Sequence, residues 1–300
     1  MSIAIRSWNA NEVEPLRSLA SHPSLQREFE MLQGHGLEQR LADAWNPEPL
    51  RFLASLDGRD AGFAYSFVVP MLDGVRAMAR IGVVDGARRR GLGRALLEST
   101  LAALPGVSPE CRSVGLVATL PNADAAAFAN RVGFVPVRRF WLMEREPSSI
   151  PEPALPAGVR VEGYGGIGDI ARWVKVFNCA WLEHWHAVLA TEPDFRRQIE
   201  SGAIAPEGMF LASDETGDVG FVRLALHEGR GEIAVLGVVP EWRRRGLGRA
   251  LLQFGGRWLI EHGARRVTLL VDGENERALA LYRNEYYEVV ETRQFWEHEL

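Results

Sequence analysis

Along the second half of the chain, apolar residues alternate between two spacings. Val159 and Val161 flank Arg160, an every-other pattern that predicts a strand. Trp173, Phe177, Trp181 and Trp185 then recur every four residues, which places them on one face of a helix. Apolar runs return at Met209 to Ser213, Val219 to Leu226 and Glu232 to Val238, and predict three strands. RRRGLG follows and opens a helix through the strong helix formers Ala250, Leu251 and Leu252. Each half reads as a strand, two amphipathic helices, a run of strands, then helix, strand, helix and two closing strands. That order is an α/β sheet domain.

The halves are copies. IGVVDGARRRGLGRALL from Ile81 and LGVVPEWRRRGLGRALL from Leu236 nearly coincide, and Gly91 recurs as Gly246 at an offset of 155 residues. Asp60, Gly62 and Phe63 recur as Asp218, Gly220 and Phe221, and Asn122 with Ala125 recurs as Asn275 with Ala278. Between the copies, residues 147–157 are proline-rich; prolines lack an amide donor and disfavour helix and central strand, so this stretch predicts an exposed linker. The expected domains are 1–146 and 158–300.

Composition fits one large core or two modest ones: 300 residues, 47% hydrophobic and 24% charged. A net charge of −5 gives no general attraction for nucleic acid or an acidic membrane, and neither is an expected partner. No stretch approaches the roughly 20 apolar residues of a membrane span. Cys111 and Cys179 offer neither a metal-ligand spacing nor a disulfide framework, so no metal is expected and a reducing cytoplasm fits.

The repeated glycine turn carries the chemistry. Gly246 and Gly248 allow close backbone approach, and the helix start behind them leaves amide donors unpaired at the positive end of its dipole. Arg243, Arg244, Arg245 and Arg249 surround the turn, and guanidinium groups bond phosphate oxygens in pairs. Such a cradle suits a pyrophosphate; a solvated, arginine-rich cap is the plainer reading. A dinucleotide fingerprint requires a small residue where Leu96 and Leu251 stand, and Walker, GxSxG and HExxH motifs do not occur.

These residues resemble the GNAT family of N-acetyltransferases, whose Arg/Gln-x-x-Gly-x-Gly/Ala signature is matched by Arg243, Gly246 and Gly248 and by Arg88, Gly91 and Gly93. The tandem order resembles mycothiol synthase-like members. The resemblance implies two tandem acyl-CoA N-acyltransferase domains, each a mixed, largely antiparallel twisted sheet flanked by helices. It implies acetyl-CoA as co-substrate, with pantetheine along Leu236, Gly237 and Val238 and pyrophosphate held from Arg243 through Leu247 to Arg249, with Asn275 nearby. The matching positions of the first copy are Ile81, Gly82 and Val83, then Arg88, Arg89, Arg90, Gly91, Leu92, Gly93 and Arg94.

By the same resemblance, Tyr282 is the acid for the coenzyme A sulfur and Glu232 the base for the acceptor ammonium; a packed tyrosine and a solvated glutamate are the alternatives. Their counterparts in the first copy are Ala129 and Ala77, so acetyl transfer is expected only in the second domain. Gly133 and Phe134 become Tyr286 and Tyr287, which predicts an altered acceptor side. Acceptor contacts are expected from Glu183, His184 and Trp185. The expected acceptor is a primary amine of a small molecule; a silent acetyl-CoA sensor or scaffold is the alternative, and the oligomeric state stays open.

Overall fold

The computed structural model describes residues 2–9, 13–25, 46–147 and 150–300. The chain forms two compact units, Met1–Arg139 with Arg293–Leu300, and Phe140–Thr292. Residues 150–157 carry no strand, but the units part elsewhere, inside two strands.

The first unit contains β1 (Ile3–Ser7), α1 (Val13–Ala20), β2 (Arg51–Leu56), β3 (Arg59–Met71), β4 (Gly74–Val83), α2 (Leu92–Val107), β5 (Cys111–Leu120), α3 (Ala123–Arg131) and the first residues of β6 (Val135–Arg145). The second helix expected in this half lies outside the described residues. The strands run β1-β2-β3-β4-β5, and the final strand of the chain lies beside β5. Leu300 N donates to Arg112 O at 2.9 Å, and Glu297 accepts from Arg76 Nε at 2.8 Å and from Ser113 Oγ.

The second unit contains β7 (Arg160–Gly163), α4 (Ile170–Trp181), α5 (Glu192–Glu200), β8 (Met209–Asp214), β9 (Gly217–His227), β10 (Arg230–Val238), α6 (Leu247–Glu261), β11 (Arg266–Asp272), α7 (Glu276–Asn284) and the start of β12 (Glu288–Glu299). Its strands run β7-β8-β9-β10-β11-β6, with Phe140–Arg145 of β6 antiparallel to β11. Each unit is therefore completed by a strand segment that sequence order assigns to the other half. One large core fills the second unit, with Trp173, Phe221, Leu247 and Leu251 at 1% exposure or less.

Each unit has one parallel pair. β4 runs parallel to β5, and β10 parallel to β11. Neither parallel pairing reaches the end of its strand. β4 pairs with β5 only as far as Ala79, and β10 with β11 only through Glu232. Beyond those points each strand keeps its other partner, β3 or β9, while its second edge is left without a ladder. A strand edge with unpaired amides and carbonyls is a template for another extended chain.

One sequence expectation is corrected. The aromatic stripe predicts a helix reaching Trp185, but α4 ends at Trp181 and Leu182–His186 form turns. His184 folds back to stack on Trp181 with ring centroids 3.8 Å apart, and His186 takes φ +51°. Trp173 and Phe177 remain on the core face, where they pack on Phe221.

Candidate active site

In both units the open-edged strand leads through one turn of 3-10 helix into the glycine turn. Arg89 and Gly91 have φ +59° and +93°; Arg244 and Gly246 have +64° and +85°. A left-handed residue running into a right-handed helix, as Gly91 does into α2 and Gly246 into α6, aims successive amides at one point, making an anion-binding nest. A Cβ on Gly246 would meet nothing within 4 Å, so the ground above the turn is open and its dihedral alone calls for glycine. At Gly82 and Gly237 the reason differs: a Cβ there would overlap the ring of Phe63 or Phe221.

The arginines divide into distinct roles. Arg243 turns inward, with Nε on Val238 O at 3.2 Å, Nη2 on Ala180 O at 3.3 Å and Nη1 on Glu183. Arg88 repeats this with Nε on Val83 O at 3.1 Å and Nη2 on Ser24 O at 3.3 Å. Both tie the turn to the preceding chain. Arg245 lies over Trp242, Arg249 pairs with Glu285 at 3.0 Å and Arg94 with Glu98 at 2.9 Å. Arg244 and Arg90 are exposed and have no ion pair among the described residues.

The flanks of the two turns differ in charge. Asn122 and Asn275 cap α3 and α7, accepting from Ala125 N and Ala278 N. Two residues on, the first copy has Asp124 and the second Arg277. Asp124 accepts from Arg89 at 3.0 Å and so neutralises part of the first nest. A cavity of about 710 Å³ lies there, lined by Ile81, Gly82, Val83, Gly91, Leu92, Gly93, Asn122 and Ala129 among others. Leu92 and Leu247 themselves are buried helix anchors.

Tyr282 sits on α7 at the rim of the core, its ring centroid 6.1 Å from that of Tyr287. Burial pushes its phenol up to about 12. Its counterpart Ala129 is 1% exposed, and Ala77, opposite Glu232 in the repeat, is fully buried. Glu232 lies on β10 where parallel pairing stops, beside Thr268 on β11 and Ala225 on β9.

Glu183 is drawn to Arg243, whose guanidinium holds its carboxyl below the usual range. It therefore belongs with the turn. Burial lowers the His184 pKa against the opposing charge of Asp272, so the ring is neutral near pH 7. Trp185 lies 6.0 Å from Phe140, centroid to centroid. The sequence reading passes over Arg223 on β9, whose Nε is buried without a hydrogen-bond partner among the described residues. An arginine inside the apolar run VGFVRLAL was the available signal.

No group of three metal-ligating side chains occurs among the described residues, and no helix among them is long and apolar enough to cross a membrane. Cys111 and Cys179 are free thiols.

Comparison with known proteins agrees with this geometry. The chain is 34% identical to the mycothiol acetyltransferase of Thermomonospora curvata over 241 residues, covering 78% of this chain and 77% of that one. It is 33% identical to the mycothiol acetyltransferase of Mycobacterium avium over 300 residues, covering 93% and 92%. Two solved structures share the fold. A GCN5-related N-acetyltransferase from Sphaerobacter thermophilus matches with a TM-score of 0.78 at 20% identity over 99% of this chain and 95% of that one. A tandem GNAT protein from the clavulanic acid biosynthesis pathway matches with a TM-score of 0.74 at 17% identity over 99% and 98%. The model of the Acetyltransferase (GNAT) family matches twice, at residues 19–134 and 170–286, each match enclosing one glycine turn. The chain belongs to the GNAT acetyltransferase family, as a tandem, acetyl-CoA-dependent N-acetyltransferase.

Proposed function

We propose that this N-acetyltransferase moves acetyl from acetyl-CoA to a primary amine of a small molecule by direct attack, and that the second domain performs the chemistry. The observation carrying this reading is the asymmetry of proton carriers: Glu232 and Tyr282 stand in the second copy where the first has the buried alanines Ala77 and Ala129. Attack needs a neutral amine, and departure of the thiolate needs a proton. Glu232 takes the ammonium proton, directly or through water. Tyr282, protonated at any physiological pH because of its burial, donates to sulfur.

The open edge of β10 beyond Glu232 suits the amides of pantetheine, and the nest at Arg244 to Gly248 suits the pyrophosphate. The first domain is a binding domain without turnover, and its cavity supports that role. Domain limits of 1–146 and 158–300 serve this division of labour, with each sheet finished by the other half's last strand segment.

The test is free-thiol release with a panel of aminoglycoside-like, amino-acid and cysteinyl-sugar amines. Turnover that Glu232→Gln and Tyr282→Phe each reduce at least about a hundredfold supports the reading. Tight acetyl-CoA binding with no turnover on any amine overturns it and favours a silent sensor.

A further inference from the structure

Strand alternation fixes which way Arg223 points. On β9, Gly220, Val222 and Leu224 face α6: a Cβ on Gly220 would lie 3.1 Å from Leu251, and one on Gly255 would lie 2.8 Å from Leu224. Phe221 faces the other way, its ring centroid 5.2 Å from Trp173 on α4. Arg223, two residues further, shares the α4 face. Across the ladder, Arg223 is opposite Val235 and Ala225 is opposite Glu232, with a bulge between Ile233 and Val235. Arg223 and Glu232 are thus diagonal neighbours on one face of the sheet.

They do not pair. No salt bridge or side-chain hydrogen bond joins either residue to any described residue, although the carboxylate acts on the guanidinium through space. A buried guanidinium nitrogen with no acceptor is costly and calls for an explanation. The first copy places Tyr65 at this position, 1% exposed and stacked on Phe63. The first copy thus fills this position with an aromatic ring, across from Arg80 on β4, and an arginine at the position itself stands in the copy that carries Glu232 and Tyr282.

We infer that Arg223 is a specificity-determining residue that binds the carboxylate of the acceptor, so that the enzyme acetylates amino-acid-like amines carrying a carboxylate one to three carbons from the nitrogen. Glu232 then faces the ammonium end and Arg223 the anionic end of one zwitterion. The planar guanidinium gives a carboxylate two parallel hydrogen bonds, which a neutral hydroxyl or amide cannot match. The inference rests on the second domain being the catalytic one.

The experiment uses the full-length protein with a series of α-, β- and γ-amino acids, each paired with its carboxamide. It measures kcat/KM by thiol release and acceptor binding by calorimetry with coenzyme A present. Wild type is expected to favour at least one acid over its amide by tenfold or more, and Arg223→Met to bring that ratio near one with its thermal midpoint retained or raised. Arg223→Lys should keep part of the preference, a graded response that a packing role would not give. Equal use of acid and amide throughout, a preference that survives in Arg223→Met, or failure of every acid to bind overturns the inference. Acid-selective binding that Arg223→Met abolishes, without turnover on any amine, upholds Arg223 as the carboxylate-binding residue and overturns the proposed chemistry, acetylation of the bound acid with it.

Discussion

Arg243 donates to Glu183 at 2.5 Å while its other two nitrogens reach Val238 O and Ala180 O, so one side chain buckles the end of β10 to the end of α4. The repeated arginine of the glycine-turn signature thereby holds the turn in place, which under the proposed function leaves phosphate contact to the turn amides and to Arg244. Arg243→Met should destabilise the protein by about 1–3 kcal/mol through two orphaned carbonyls and a lost ion pair. Glu183→Gln should move the urea midpoint little, because Glu183 is largely exposed. Equal losses in the two variants would show that the ion pair, and not the carbonyl contacts, does the holding.

Tyr282→Phe should lower kcat by about a hundredfold or more while acetyl-CoA affinity stays within about twofold, because only the donated proton is removed. With its phenol pushed up to about 12, Tyr282 stays protonated through pH 10, so the wild-type kcat should show no alkaline fall from this group below that pH. A free thiol titrates near ~8.5, so transfer from so weak an acid requires that the same dry surroundings raise the thiol as well. An unchanged kcat in Tyr282→Phe, with chemistry shown to limit the rate, would remove the tyrosine from the mechanism.

His184 sets a pH dependence of stability. Its folded pKa lies below the ordinary 6.5, chiefly through burial, so below pH 6.5 the unfolded chain takes up a proton that the folded chain refuses. The stability this group contributes is complete above about pH 7.5 and is lost as pH falls through 6.5 toward the lower folded value. His184→Asn should flatten the decline in unfolding free energy between pH 7.5 and 5.5, read by urea titration at each pH. An unchanged slope would mean that the ring is not desolvated in solution.

How far the sequence carries depends on whether a feature is local. The glycine turns were legible because strand, turn and helix start are consecutive, and the repeat displayed them twice. Strand alternation likewise marked β8, β9 and β10 nearly to their ends. The end of α4 was not legible, because the four-residue spacing of Trp185 persists past the point where His184 folds back on Trp181. Nor was the exchange of strand segments, since β6 and β12 have the same pattern whichever sheet they complete. Tyr286 is an instructive middle case. Its departure from Gly133 was visible, yet the backbone keeps the same left-handed turn, at φ +64° against +85°, with Arg145 over the ring. Arg223 is legible only through register, because an isolated arginine in an apolar run gives no hint of the side chain it will share a face with.

The two nests make the division between domains testable with one kind of substitution. Gly91 and Gly246 are both left-handed and both exposed, so a glutamate at either costs about 1–2 kcal/mol of backbone strain and puts a negative charge where a phosphate would lie. Folding should respond alike. Function should not: Gly246→Glu is expected to abolish acetyl transfer, and Gly91→Glu to remove coenzyme A binding from the first domain while turnover stays within about threefold. Calorimetric titration with acetyl-CoA beside steady-state thiol release reads both effects. Wild type should bind acetyl-CoA at two sites of unequal affinity, the weaker in the first domain, where Asp124 already occupies Arg89. A folded Gly91→Glu protein without activity would mean that the first domain takes part in turnover, and the assignment of chemistry to the second domain alone would fall.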